Sequence, residues 1–261
     1  MTYKILFLDI DGTILNPDHT YHPKTKEAIE QVRSQGIEVF LATGRPENEL
    51  KEIADELNIE SYISFNGAYT IYQEEILVHA PMKEEWVKEF LAIAKKFNHE
   101  VLLQARASNY VTNTDSILMK DFIELFQLEK VEAIREDKLD DILGVNILNA
   151  LSEEASHYVL NDDIRLAQIN VNGAKDSYDI IRKSMNKGEA VKLVLEKLRI
   201  SPNEAIAFGD GMNDKEMLET VGASFAMGNA HPELFQYAKY KTTAVSEAGI
   251  FTGLQQLGLI K

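Results

Sequence analysis

The sequence predicts an α/β protein built on a central parallel sheet, with a second, α+β domain inserted into it. Three observations predict this. Strand and helix signals alternate over the first part of the chain. The alternation gives way to a different pattern in the middle and returns near residue 186. Four short polar segments, each carrying glycine, fall where the ligand-binding ends of a parallel sheet lie.

The elements follow in order. Lys4–Leu8 is an apolar run of the buried-strand kind. Lys24–Gln35 carries Ala28, Ile29 and Val32 at helical spacing, and Gly36 ends it. Ile37–Ala42 is a second strand. Pro46 opens a helix, where its missing N–H costs nothing, and Leu50, Ile53, Ala54 and Leu57 fall on one face. Tyr62–Phe65 is a third strand. Strands separated by helices imply right-handed crossovers and parallel pairing.

Tyr69–His79 reads as a hairpin about Gln73–Glu75. Glu84–Phe97 is an amphipathic helix, with strands expected at Glu100–Ala105, Asn109–Asn113, Gly144–Leu148 and Arg165–Val171. Then the first pattern resumes. Lys187–Leu198 is helical, with Asn186 and Glu189 spaced as a capping box. Ala205–Phe208 is an apolar strand, and Ala223–Ala226 is another. The boundaries are therefore placed at 1–81 and 186–261 for the alternating domain and 82–185 for the insert.

Composition narrows the function. Charged side chains number 27 basic and 42 acidic, a net charge of −15. Such a surface repels phosphate backbones and anionic membranes, which argues against both as partners. The absence of cysteine excludes disulfides, thiolate metal sites and a cysteine nucleophile. No stretch is long enough to span a bilayer, so a cytoplasmic location is expected.

The strand ends carry the chemistry. Asp9 and Asp11 stand one residue apart after the first apolar run, in D-I-D-G-T. Like charges this close raise each other's pKa unless a cation sits beside them. Converging strand ends would bring Asp9, Asp11 and Asp210 together, an oxygen-only set suited to Mg²⁺. Mg²⁺ invites a phosphorylated substrate. Gly12 and Gly44 allow backbone N–H groups close to an anion, Thr43 offers a hydroxyl, and Lys187 begins a helix. In such an assembly a carboxylate can attack phosphorus and form an aspartyl-phosphate.

D-I-D-G-T (9–13), A-T-G-R (42–45), N-K-G (186–188) and G-D-G-M-N-D (209–214) resemble, in order, the four motifs of the haloacid dehalogenase superfamily. F-N-G-A (65–68) and A-M-G-N-A (226–230) resemble its Cof-type branch, as does the inserted block, which would be that branch's large α/β cap on a Rossmann-like core. The resemblance implies these roles. Asp9 is the nucleophile and a Mg²⁺ ligand. Asp11 protonates the leaving oxygen and then activates water, its backbone carbonyl binding Mg²⁺. Asp210 is the third ligand. Asp214 stands behind it, orienting metal waters or Lys187. Thr43, Gly44, the Ile10 N–H, Lys187 and Asn213 hold phosphate. Arg45 and Asn66 either meet substrate or serve the structure.

Two departures touch no proposed catalytic group. Arg182–Asn186 lacks the proline and glycine common in relatives, and E-A-G-I (247–250) replaces the more usual Glu-Asp-Gly-Val. The six histidines show no ligand spacing, and Trp86 reads as core packing. Arg106, Asn109 and Tyr110 lie where a specificity loop could be. The expected function is hydrolysis of a small phosphorylated metabolite. A sugar phosphate, a nucleotide and a cofactor phosphate all fit. A phosphomutase of the same superfamily shares the covalent step, and a non-catalytic phosphometabolite-binding protein is the reading from another class. The retention of Asp9, Asp11 and Asp210 counts against the latter.

Overall fold

In the computed structural model, which describes residues 2–126, 128–169, 173–174 and 176–261, the alternating patterns become layers. The first stretch runs β1 (Ile5–Leu8), α1 (Pro23–Ser34), β2 (Glu38–Ala42), α2 (Glu47–Glu56) and β3 (Ser61–Ser64), then the hairpin β4 (Tyr69–Tyr72) and β5 (Glu75–His79). The middle holds α3 (Glu84–Phe97), β6 (Glu100–Ala105), β7 (Asn109–Val111), α4 (Ile117–Leu125), β8 (Val131–Ala133), β9 (Ile142–Leu148), α5 (Ser152–Ala155), β10 (Ile164–Gln168) and β11 (Tyr178–Arg182). The last stretch runs α6 (Lys187–Leu198), β12 (Ala205–Gly209), α7 (Lys215–Thr220), β13 (Ala223–Ala226), β14 (Tyr240–Lys241) and α8 (Gly249–Gln256).

The chain divides into two compact units. One comprises the chain up to Arg45, Lys51–Val78 and Asn186–Lys261; the other comprises Pro46–Leu50 and His79–Met185. No helix among the described residues is long and apolar enough to cross a membrane.

The first unit is built on an eight-stranded sheet in the order β14-β13-β12-β1-β2-β3-β4-β5. Pairing is parallel from β14 to β3 and antiparallel between β3 and β4. One face packs Ile5, Phe7, Phe40, Ala42, Ala205 and Ala207 against Ala190, Val191, Val194 and Leu195 of α6 and Met217 and Leu218 of α7. The central strands are apolar on both faces, as parallel strands between helix layers must be. β1 lies between β12 and β2, where the chain's winding reverses, and ligand crevices open at the carboxyl ends beside such a point.

The second unit contains a six-stranded sheet, β10-β11-β9-β6-β7-β8, antiparallel except between β7 and β8. Side chains alternate between its faces. Val101, Leu103, Val145 and Ile147 meet Val87, Phe90 and Ala94 of α3, while Leu102, Val111 and Leu148 meet Met119 and Phe122 of α4. Trp86 packs against the first of these clusters, as expected. His99 is buried and satisfied, its ring nitrogens 2.9 Å from Tyr158 Oη and 3.1 Å from Glu154 Oε2.

The helices over 84–97 and 187–198 have the predicted bounds. The third strand ends one residue early, at Ser64, because Phe65 turns into the left-handed region. The strand expected over 165–171 spans Ile164–Gln168, and Val171 lies outside the described residues. The strand from Asn109 stops at Val111.

Candidate active site

Strand register sets the site. Leu8, the last residue of β1, is level with Phe208 of β12 and Leu41 of β2. The next residues on the three strands therefore emerge side by side: Asp9, Gly209-Asp210 and Ala42-Thr43. The Asp9 N–H donates to the Phe208 carbonyl at 3.1 Å, continuing the ladder one step beyond the strand. β3 ends on the far side of β2, and its turn carries Asn66.

Lys187 is the centre of the buried part. It is the first residue of α6, after Asn186, whose Oδ1 accepts the Glu189 N–H at 3.0 Å. An ammonium at a helix N-terminus is opposed by the macrodipole, and Lys187 is also fully buried. Two carboxylates offset this. Its Nζ donates at 2.6 Å to Asp9 Oδ1 and at 2.6 Å to Asp214 Oδ1. Asp214 is equally buried, and its Oδ2 accepts the N–H groups of Asp210 and Gly211, each at 2.9 Å. Both Asp214 oxygens are thus committed, and the carboxylate fixes the backbone that carries Asp210.

Asp210 faces the D-I-D-G-T loop. Thr13 Oγ1 donates to its Oδ1 at 3.1 Å. Gly12 has φ +80°, and a methyl group there would collide with the Asp210 carboxylate. The Gly12 carbonyl accepts from Asn229 Nδ2 at 2.8 Å. Asn229 follows β13, so three strand ends, those of β1, β12 and β13, contribute to this side of the site.

Asp11 lies apart from that cluster. Its carboxylate takes two hydrogen bonds from Arg45, from Nε at 2.8 Å and Nη2 at 2.6 Å. Its side chain is 56% exposed, that of Arg45 21%. Of the two roles open to Arg45, the structure displays the ion pair. Thr43 is buried, and its Oγ1 accepts the Arg45 N–H at 3.0 Å. Asn66 Oδ1 accepts from Asn213 Nδ2 at 3.1 Å. Ile10 is buried, its carbonyl accepting the N–H groups of Ile14 and Leu15 at 2.9 and 2.8 Å.

The electrostatics show a shortage of positive charge. Burial, followed by the nearby Asp214 charge, pushes Asp9 well above the ordinary carboxylate range despite Lys187. Burial and Asp214 likewise push Asp210 up to about 6. Burial works against the Lys187 ammonium, but Asp214 and Asp9 outweigh it and hold its pKa above the usual value. One lysine thus serves three carboxylates. Among the described residues, Asp9, Asp210 and Asp214 form a group whose oxygens lie within 4.8 Å of one another, close enough to hold a metal ion. Hard oxygen donors suit a small divalent cation. Asp11, expected to contribute a backbone carbonyl, has its carboxylate turned to Arg45.

The arrangement therefore joins a buried, lysine-paired carboxylate, a second exposed carboxylate two residues on, and a hydroxyl and glycine beside them. That set can carry nucleophilic attack on phosphorus and proton transfer at separate groups. Sequence reasoning gave Thr13 and Asn229 no role. Thr13 lies inside a quoted motif, but its bond to Asp210 depends on the juxtaposition of β1 and β12. Asn229 lies inside A-M-G-N-A, and only the sheet order brings it to Gly12.

The sequence matches the haloacid dehalogenase-like hydrolase family over residues 6–254. It is 32% identical to the "Putative phosphatase YkrA" of Bacillus subtilis (strain 168), over the whole of both chains. It is 29% identical to the HMP-PP phosphatase of Escherichia coli (strain 55989 / EAEC), over 88% of this chain and 86% of that one. A solved structure of a hypothetical protein from Geobacillus kaustophilus HTA426 superposes with a TM-score of 0.89 at 31% identity, covering 99% of this chain and all of that one. The structure of the subclass IIB sugar phosphatase BT4131 gives a TM-score of 0.84 at 25% identity, over 98% and 100% of the two chains. With the fold, the four motifs at strand ends and at the start of α6, and these similarities together, the chain belongs to the haloacid dehalogenase-like hydrolases and is a phosphoric monoester hydrolase among them.

Proposed function

We propose that this enzyme is a Mg²⁺-dependent phosphatase of small phosphorylated metabolites that works through a phosphoaspartate on Asp9. One observation carries the reading: three carboxylates lie together beside a single buried lysine, leaving the cluster short of cations. A divalent cation held by the Asp9 and Asp210 carboxylates, with the Asp11 backbone carbonyl, corrects that shortage. When bound, the cation supplies charge that screens a carboxylate nucleophile from a phosphate dianion.

The chain's own residues do the rest. Lys187 holds Asp9 in place and offsets part of the penalty on its charge, so that with a cation beside it Asp9 would attack as the carboxylate. Asp214 holds Lys187 and the backbone of Asp210–Gly211, and so acts through both. The Thr43 hydroxyl, the Gly44 and Ile10 N–H groups, Lys187 and Asn213 receive the phosphoryl oxygens. Asp11 gives a proton to the leaving oxygen and then takes one from the water that opens the phosphoaspartate. To do so its carboxylate must leave Arg45, and the exposure of that pair permits the exchange.

Residues 1–81 and 186–261 form the catalytic core in this reading, and residues 82–185 form the cap that selects the substrate. The net charge of −15 favours small substrates over nucleic acid. Sugar phosphates, nucleotides and cofactor phosphates all fit the chemistry, and relatives named as sugar and HMP-PP phosphatases make those compounds the first to try.

The test is phosphate release from a panel of such metabolites, with Mg²⁺ and with chelator. Release that depends on Mg²⁺ supports the proposal. Conversion of a hexose 1-phosphate into its 6-phosphate without net release identifies a mutase instead. Binding of panel members with neither outcome identifies a non-catalytic protein.

A further inference from the structure

The turn after β3 is built against local preference. Phe65, Asn66 and Gly67 have φ of 50°, 53° and 110°, three left-handed residues in succession. Asparagine and glycine adopt this region readily, but a buried phenylalanine does not. Such a conformation persists where surrounding contacts over-determine it, and these cluster at functional sites. Here the contacts are explicit. The Phe65 N–H donates to the Arg45 carbonyl at 3.2 Å, and the Asn66 N–H to the Thr43 carbonyl at 3.0 Å. A Cβ on Gly67 would stand 2.6 Å from the Asn186 carbonyl oxygen, so the turn also abuts the start of α6.

The strained turn therefore presents one side chain, Asn66, between two loops. A Cβ on Gly44 would lie 3.1 Å from its Nδ2, so the amide lies against the Gly44 backbone. Its Oδ1 accepts from Asn213 Nδ2 at 3.1 Å. We infer that Asn66 is a positioning residue: it fixes the Asn213 amide relative to Thr43 and Gly44, so that the three receive one phosphoryl group together. This rests on the reading of Thr43, Gly44 and Asn213 as phosphate-binding groups. The strained backbone of Phe65 and Asn66 is the means by which the amide is held in that place.

The test is a double-mutant cycle with Asn66→Gly and Asn213→Ala. Glycine keeps the left-handed backbone and removes only the amide, so the fold is retained. Inorganic phosphate in the presence of Mg²⁺ is the probe, followed by calorimetry, and turnover on the metabolite panel is measured beside it. Each single substitution weakens phosphate binding by about tenfold, the worth of one well-placed hydrogen bond. The double variant binds no more weakly than Asn213→Ala alone, because Asn66 acts through Asn213. A merely structural Asn66 would lower thermal stability without this coupling. The inference is overturned if Asn66→Gly binds phosphate within about twofold of wild type, or if the two losses multiply. It is also overturned if the wild type binds no phosphate. Coupled phosphate binding with no turnover on any substrate would defeat the phosphatase mechanism and leave the role of Asn66 standing. Turnover with uncoupled variants would do the reverse.

Discussion

Asp9 and Asp11 are two residues apart and live in different media. Asp9 is 5% exposed and bonded to a lysine that water does not reach. Asp11 is largely exposed and clasped by an arginine that water partly reaches. A flat strand would point both side chains to one face and set their charges against each other. The chain avoids this by ending β1 at Leu8 and turning at Gly12, so that each carboxylate meets its own cation on a different segment. The buried pair is fixed by desolvation: neither partner can leave without exposing the other uncompensated. The exposed pair exchanges for water at little cost. A nucleophile that must stay in place and a proton carrier that must move call for these two environments.

The largest expected effect comes from breaking the buried side. Lys187→Met leaves Asp9 and Asp214 without their shared cation, and removal of one partner from a buried network costs about 3–5 kcal/mol. Urea unfolding should show that loss; a loss near zero would mean the ammonium is not the cluster's keystone. A smaller effect of opposite sign is expected at Asp210. Its pKa of about 6 lies above the ordinary 3.8, so the folded protein holds a proton there that the unfolded chain has released. This group's penalty is absent below pH 3.8, grows as pH rises, and is complete above about 6. Without metal, Asp210→Asn should therefore stabilise the protein at pH 7 by about 3 kcal/mol and flatten the pH dependence between those limits. Such a gain bought at the loss of Mg²⁺ dependence is the signature of a functional site. No change, or a loss, would place the repulsion elsewhere.

The smallest effect belongs to the exposed pair. Arg45→Ala should cost about 1 kcal/mol or less, and added salt should shrink the difference further. A cost as large as that of Lys187→Met would erase the contrast between the two carboxylates.

The parts legible in the sequence were those that local chemistry sets. α3 carries acidic residues in its first turn, basic residues in its last and a left-handed Asn98 cap, so its bounds stand in the residues themselves. α6 has Asn186 as an N-cap, and the apolar strands β1 and β12 run directly into polar turns. Three of the motifs follow strand ends, which is why Asp9, Asp11, Thr43, Gly44 and Asp210 could be proposed from their position, whereas Ile10, Asn213 and Asp214 entered through the family resemblance. What was not legible is set across the sheet. Phe65 looks like the end of a strand, but its N–H donates to the Arg45 carbonyl and that of Asn66 to the Thr43 carbonyl, which hold it in the turn instead. β8 is three residues long and mostly exposed, too short for alternation to show. Nothing near Asp11 in sequence names Arg45 as its partner, and only the pairing of β1 with β2 brings them together.

The central claim is that Asp9 attacks phosphorus with a metal ion beside it. The most direct measurement is phosphate release from an aryl phosphate by wild type and Asp9→Asn, each with Mg²⁺ and with chelator. The account predicts release by the wild type with Mg²⁺ alone, and none by Asp9→Asn under either condition. Release that survives Asp9→Asn, or that is indifferent to chelator, would contradict it.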